Sequence, residues 1–100
     1  MAQFEREKFE EALGSGFTLT AGDVTLELVL TQVRELRKDS ENVAFSILFL
    51  APENFNVPQG LYDMEHPSLG KLQLFLVPIS LDKSRLRLEA VFNLLIENGS

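Results

Sequence analysis

Two hydrophobic periods run along the chain, and they change over near Gly16. Up to about residue 13 the residues are good helix formers. Ala2, Phe9, Ala12 and Leu13 fall on one side of a 3.6-residue helix, with Glu5, Arg6, Lys8 and Glu10 elsewhere and Phe4 off the stripe. Gly14 and Gly16 supply the stop, Gly14 at the left-handed C′ position. So short a helix is marginal alone, so the spacing predicts a helix over about 2–13 that docks by its apolar stripe. Beyond Gly16 the period is two. In "DVTLELVL", Val24, Leu26, Leu28 and Leu30 share one face while Thr25, Glu27 and Thr31 share the other; Val33 then falls out of phase, which predicts a β-bulge near Thr31 and Gln32. "NVAFSILFLA" sets Val43, Phe45, Ile47 and Phe49 against Ala44, Ser46, Leu48 and Leu50. Apolar on both faces in its later half, that strand is expected to be central or covered by the helix. "GFTLT", "QGLYDMEH", "GKLQLFLVPI" and "SRLRLEAVFNLL" complete six strands, the last alternating Leu86, Leu88, Ala90 and Phe92 with Arg85, Arg87, Glu89 and Val91.

Turn-forming stretches separate these runs: "AGD", "RKDSEN", "APENFNVPQG", "HPSLGK" and "SLDKS". Such short connections favour antiparallel neighbours, because a parallel crossover takes a dozen residues or more. The expected fold is mainly β. It is a six-stranded antiparallel meander over about 16–96 forming a small barrel or sandwich, with one N-terminal α-helix closing an end and residues 1–100 making a single domain. Lys71, Lys83, Arg85 and Arg87 are then expected to guard strand edges.

Composition narrows the function classes. The 100 residues carry 15 acidic and 9 basic side chains, a net charge of −6, and basic residues concentrate only at Arg34, Arg37 and Lys38. Phosphate-backbone binding draws its affinity from positive charge, so neither nucleic acid nor an anionic membrane is an expected partner. No cysteine is present, which removes disulfides, thiolate nucleophiles and Cys-based zinc sites and suits a cytoplasmic location. The charge-alternating "MAQFEREKFEEALGSG" lacks the apolar centre of a signal peptide, and no run reaches the roughly 20 apolar residues of a membrane helix. A soluble protein is expected, and the terminal "NGS" is a sequon without context.

The densest candidate chemistry surrounds the only histidine, His66, beside Glu65 and three residues from Asp63. In an extended strand Leu61, Asp63 and Glu65 face one way and Tyr62, Met64 and His66 the other, so imidazole and carboxylates diverge. A metal site needs converging ligands, and a serine nucleophile needs a positioned base; Ser46 and Ser68 have no spacing that provides one. Asp63 with Glu65, like Glu10 with Glu11, is more simply a solvated face. "GSG" follows a helix instead of joining a strand to a helix, the wrong order for a phosphate loop. No catalytic residue, metal or cofactor is therefore assigned, and an enzyme is not expected. Gly60, His66, Pro67 and Gly70 are read as turn-forming residues, with the glycines relieving backbone strain and His66 holding the loop before Gly60. Among the aromatics, Phe45, Phe49 and Phe92 fall at core positions. Phe55 in the longest loop either plugs a barrel end or anchors a partner. Phe75 and Val77 make their strand apolar on both faces, so a helix or another subunit must cover them.

The blocks "PQGLYDMEHPSLGKLQLFLVPI" and "LEAVFN" resemble an uncharacterised family of small bacterial β-rich domains. The matching positions are Pro58, Gln59, Gly60, Tyr62, Glu65, His66, Pro67, Leu69, Gly70, Leu74 to Pro78 and Glu89 to Asn93; at Leu88 the family carries an aromatic. The resemblance spans about residues 16–93 and implies no enzymatic activity. It does imply an accessory or assembly role beside phage-tail-collar-like proteins. The function expected is a non-enzymatic protein-interaction or assembly module, with Phe55, Phe75 and Val77 as partner-binding residues and homo-oligomerisation one route. The alternative is a small-molecule binding barrel, although six strands leave little interior.

Overall fold

Each alternating run becomes a strand of one antiparallel sheet. The computed structural model describes residues 6–38 and 42–95. The elements are α1 (Arg6–Glu11), β1 (Gly16–Ala21), β2 (Val24–Lys38), β3 (Asn42–Glu53), β4 (Gly60–His66), β5 (Gly70–Asp82) and β6 (Arg85–Leu95). Helix residues 2–5, the turn at 39–41 and strand residue 96 lie outside the described residues. The sheet closes on itself in the order β1-β2-β3-β6-β5-β4, with β4 pairing back to β1. Of the expected small barrel or sandwich it is the barrel that forms, but its connectivity is two three-stranded meanders instead of one. β3 lies beside β6, and residues 54–59 carry the chain across a barrel end to β4. Length explains this. β3 has 12 residues and is buried on both faces over Ala44–Phe49, so it needs a long partner on each side. β2 with 15 residues and β6 with 11 provide them, whereas β4 has 7.

One face of every strand fills the barrel. Phe17, Leu19, Leu28, Leu30, Phe45, Ile47, Phe49, Met64, Leu72, Leu74, Leu76, Leu88 and Ala90 are buried together. The bulge expected near Thr31 is present as a register shift between Leu30 and Gln32, and it returns Val33 to the core side. Further shifts, at Glu35/Arg37, Leu50/Glu53 and Pro78/Ser80, have no counterpart in the alternation. Three hairpins turn tightly. Gly22 (φ 61) opens the two-residue turn after β1, Lys83 (φ 52) and Ser84 (φ 70) join β5 to β6, and Gly70 (φ 77) ends the Pro67–Leu69 loop.

The helix ends earlier than its stripe suggested. Gly14 (φ 83) breaks it as expected, but its N–H already donates to the Leu30 carbonyl at 2.8 Å, and Leu30 N–H donates to Ser15 C=O at 3.1 Å. The chain is thus extending the β1 ladder along β2 here, which leaves Leu13 exposed while Phe9 and Ala12 enter the core. Phe9 sits among Phe17, Phe45 and Phe92, with ring centroids 6.5, 6.1 and 5.5 Å away. Aromatic pairs at such distances contribute about 0.5–1.5 kcal/mol each beyond burial. Arg6 adds an ion pair to Glu35 of β2, and the Glu35 hydrogen bond raises the guanidinium pKa further above its usual value. α1 therefore closes one end of the barrel and does not cover the outer face of β3. That face is covered by neighbouring strands, where Arg34 of β2 reaches Glu89 of β6 at 3.4 Å over it. Closure also changes the expected role of two strand charges: Arg85 and Arg87 lie within ladders on both sides and guard no edge there, whereas Lys71 is paired on its β4 side, opposite Glu65. Arg85 Nε donates to the Ala51 carbonyl at 2.8 Å.

Candidate functional site

At the helix end, His66 closes β4 with its ring turned inward, 6% exposed, and packed on Phe17 at a centroid distance of 4.5 Å. Its Nδ1 accepts N–H bonds from Ser68 at 3.0 Å and Leu69 at 3.3 Å. A ring nitrogen that accepts carries no proton, so the proton is on Nε2, which donates to Ser15 Oγ at 2.8 Å. Ser15 Oγ in turn donates to the Ala12 carbonyl at the end of α1. A Ser–His pair thus exists, 51 residues apart in sequence, but in the orientation opposite to that of a nucleophile and its base. A general base must present an Nε2 lone pair to the hydroxyl and have Nδ1–H held by a carboxylate. Here backbone amides occupy Nδ1 and the hydroxyl is an acceptor. Chemically the chain of bonds ties the β4–β5 turn to the helix. His66 does not hold the loop before Gly60, as the sequence suggested. Tyr62 does that, its hydroxyl donating to the Pro58 carbonyl at 2.6 Å. Gly60 also differs from expectation: its φ is not positive, and the place of a Cβ is bordered by the Tyr62 ring at 3.6 Å, an ordinary contact. Gly70 alone of the two relieves backbone strain.

The carboxylates near His66 face away from it, as alternation required. Asp63 and Glu65 are exposed on the barrel wall, with Asp63 accepting from Gln73 Nε2 at 3.0 Å and Glu65 placed between Thr18 and Lys71. Among the described residues no three His, Asp or Glu side chains gather as metal ligands. Ser46 is fully buried on the outer side of β3, opposite Arg34 and Val91, and its Oγ has no hydrogen-bond partner among the described residues. Ser68 meets His66 through its backbone.

The three partner-binding candidates occupy two places. Phe75 (49% exposed) and Val77 lie on the outer wall of β5, where Phe75 faces Leu61 of β4 (59% exposed) across the ladder. No described element covers this pair. Phe55 is at the end opposite α1, 45% exposed. It does not plug the barrel; Val57, two residues on, enters the core there. Phe55 forms a ridge between two grooves. One is walled by Leu19, Val24, Leu26, Pro58 and Tyr62, the other by Leu81, Ser84 and Leu86. The outward position of Leu61 follows from its alternation with Tyr62, whereas the role of Ser15 has no local signal.

Fold and site thus define a small closed antiparallel barrel with a helix at one end, a buried histidine hydrogen-bonded at both ring nitrogens, and exposed apolar side chains on its wall and far end. The chain belongs to the family described as a domain of unknown function, DUF6916, which matches residues 4–92. Searches of curated proteins and of solved structures find no match. No helix among the described residues is long and apolar enough to cross a membrane.

Proposed function

We propose that this domain is a non-enzymatic interaction or assembly module whose partner is another protein chain. The carrying observation is the Leu61–Phe75 cross-strand pair, two large apolar side chains about half exposed on the outside of a barrel whose interior is already filled. Exposed apolar clusters with no cover are a usual mark of protein–protein contact. A filled interior favours this role over that of a small-molecule barrel. The accessory role implied by the family resemblance points the same way.

The test is capture by immobilised protein from a lysate of the source cells, with bound chains identified by mass spectrometry, against the double variant Leu61→Ser/Phe75→Ser. Both positions are on the outer wall, so the variant is expected to fold with a similar Tm and to lose a protein that the parent holds. A folded double variant that retains the same proteins in the same amounts overturns the assignment to this surface.

A further inference from the structure

The groove beside Phe55 has features that specify its occupant. Leu19, Val24, Leu26, Phe55, Val57 and Tyr62 line it. Its volume is about 250 Å³. That is below the roughly 300–1,000 Å³ of small-molecule sites and suits one or two side chains. The walls are held in place. Tyr62 is fixed by its bond to Pro58, and Asn54 (φ 64) donates its N–H to Ser84 C=O at 3.0 Å, so the loop is shaped before anything binds. Asn56, at the groove, has no side-chain partner among the described residues, and its amide offers one acceptor and two donors to an extended backbone.

Charge selects further. The wall residues come from two stretches, 9–33 and 39–70, that contain no lysine or arginine. Asp23, next to Val24 in the β1–β2 turn, is exposed and has no ion pair among the described residues. The nearby cations Lys83 and Arg85 flank Ser84, on the other side of Phe55. We propose that this groove seats an extended segment of a partner protein in which an aliphatic side chain is followed within one or two residues by arginine or lysine. The aliphatic group fills the space between Phe55 and Tyr62, Asn56 pairs with the segment's backbone, and the cation lies toward Asp23. The assignment rests on the interaction-module reading and gives it a second, chemically distinct surface.

The experiment is an NMR titration of the ¹⁵N-labelled protein with two acetylated, amidated peptides, Gly-Leu-Ser-Arg-Arg and Gly-Leu-Ser-Glu-Glu. The expected result is saturable shifts at residues 21–26 and 55–62 with the basic peptide, and binding roughly ten-fold weaker with the acidic one. Asp23→Lys is expected to remove most of that preference, and Phe55→Ser to remove binding, with the remaining resonances unchanged. No saturable shift with either peptide, equal response to both, or shifts confined to the Leu61 and Phe75 wall overturns the proposal. Failure here together with partner loss in Leu61→Ser/Phe75→Ser removes only the groove, whereas failure of both removes the interaction module as well.

Discussion

The two ends of the barrel face the same physical problem and meet it differently. Where strands end, a closed sheet exposes its core. At the helix end Phe9 fills the opening, and the bonds from the 68–69 amides through His66 and Ser15 to Ala12 satisfy partly buried polar groups in series. At the opposite end Val57 of the 54–59 loop turns inward, while Phe55, Val24 and Leu81 stay exposed. The difference teaches that the most reactive-looking residue belongs to the sealed end. His66 is hydrogen-bonded at both nitrogens, whereas the unreactive Phe55 is left about half exposed.

The contrast is sharpest between two phenylalanines. Phe9→Ala is expected to cost about 3–5 kcal/mol, a large part of the stability of a 100-residue domain, while Phe55→Ala costs less than about 1 kcal/mol. Thermal melts of the pair measure this, and similar Tm values would break the distinction between the ends. Next in size is His66. His66→Ala leaves two partly buried amides without an acceptor and the Ser15 hydroxyl without its donor, and is expected to cost about 1–3 kcal/mol. Two conservative substitutions, His66→Asn and His66→Gln, sharpen the point. The asparagine oxygen replaces Nδ1 and should recover much of the loss, whereas glutamine reaches toward Ser15 and should recover less. The reverse order in urea melts would show that the helix bond, not the turn, carries the stabilisation. The smallest effect is at the open end. Lys83 and Ser84 both hold positive φ, so Lys83→Asn/Ser84→Gly is expected to stabilise by about 0.5–1 kcal/mol without altering the groove that Phe55 shares with Tyr62. A lowered denaturation midpoint would count against the turn geometry.

Much of this was legible in local pattern. Alternation separated Leu61, Asp63 and Glu65 from Tyr62, Met64 and His66, and the slip after Leu30 marked a bulge, because a strand's side-chain period is two. Loop residues have no period to read. Phe55 and Val57 are equally apolar letters in a turn-rich stretch, and nothing local says which enters the core. The Ser15–His66 contact was likewise invisible, since it depends on β4 pairing with β1.

By itself the sequence determined the strands, their inward faces, the helix stop at Gly14 and the hairpin glycines, all of which follow from backbone geometry and hydrophobic period within a few residues. The tertiary structure alone decided that β3 pairs with β6, that the barrel closes through β1 and β4, that His66 presents a proton to Ser15, and that Phe55 remains outside. Those outcomes turn on which distant strands match in length and burial. A competition among whole strands has no local signature.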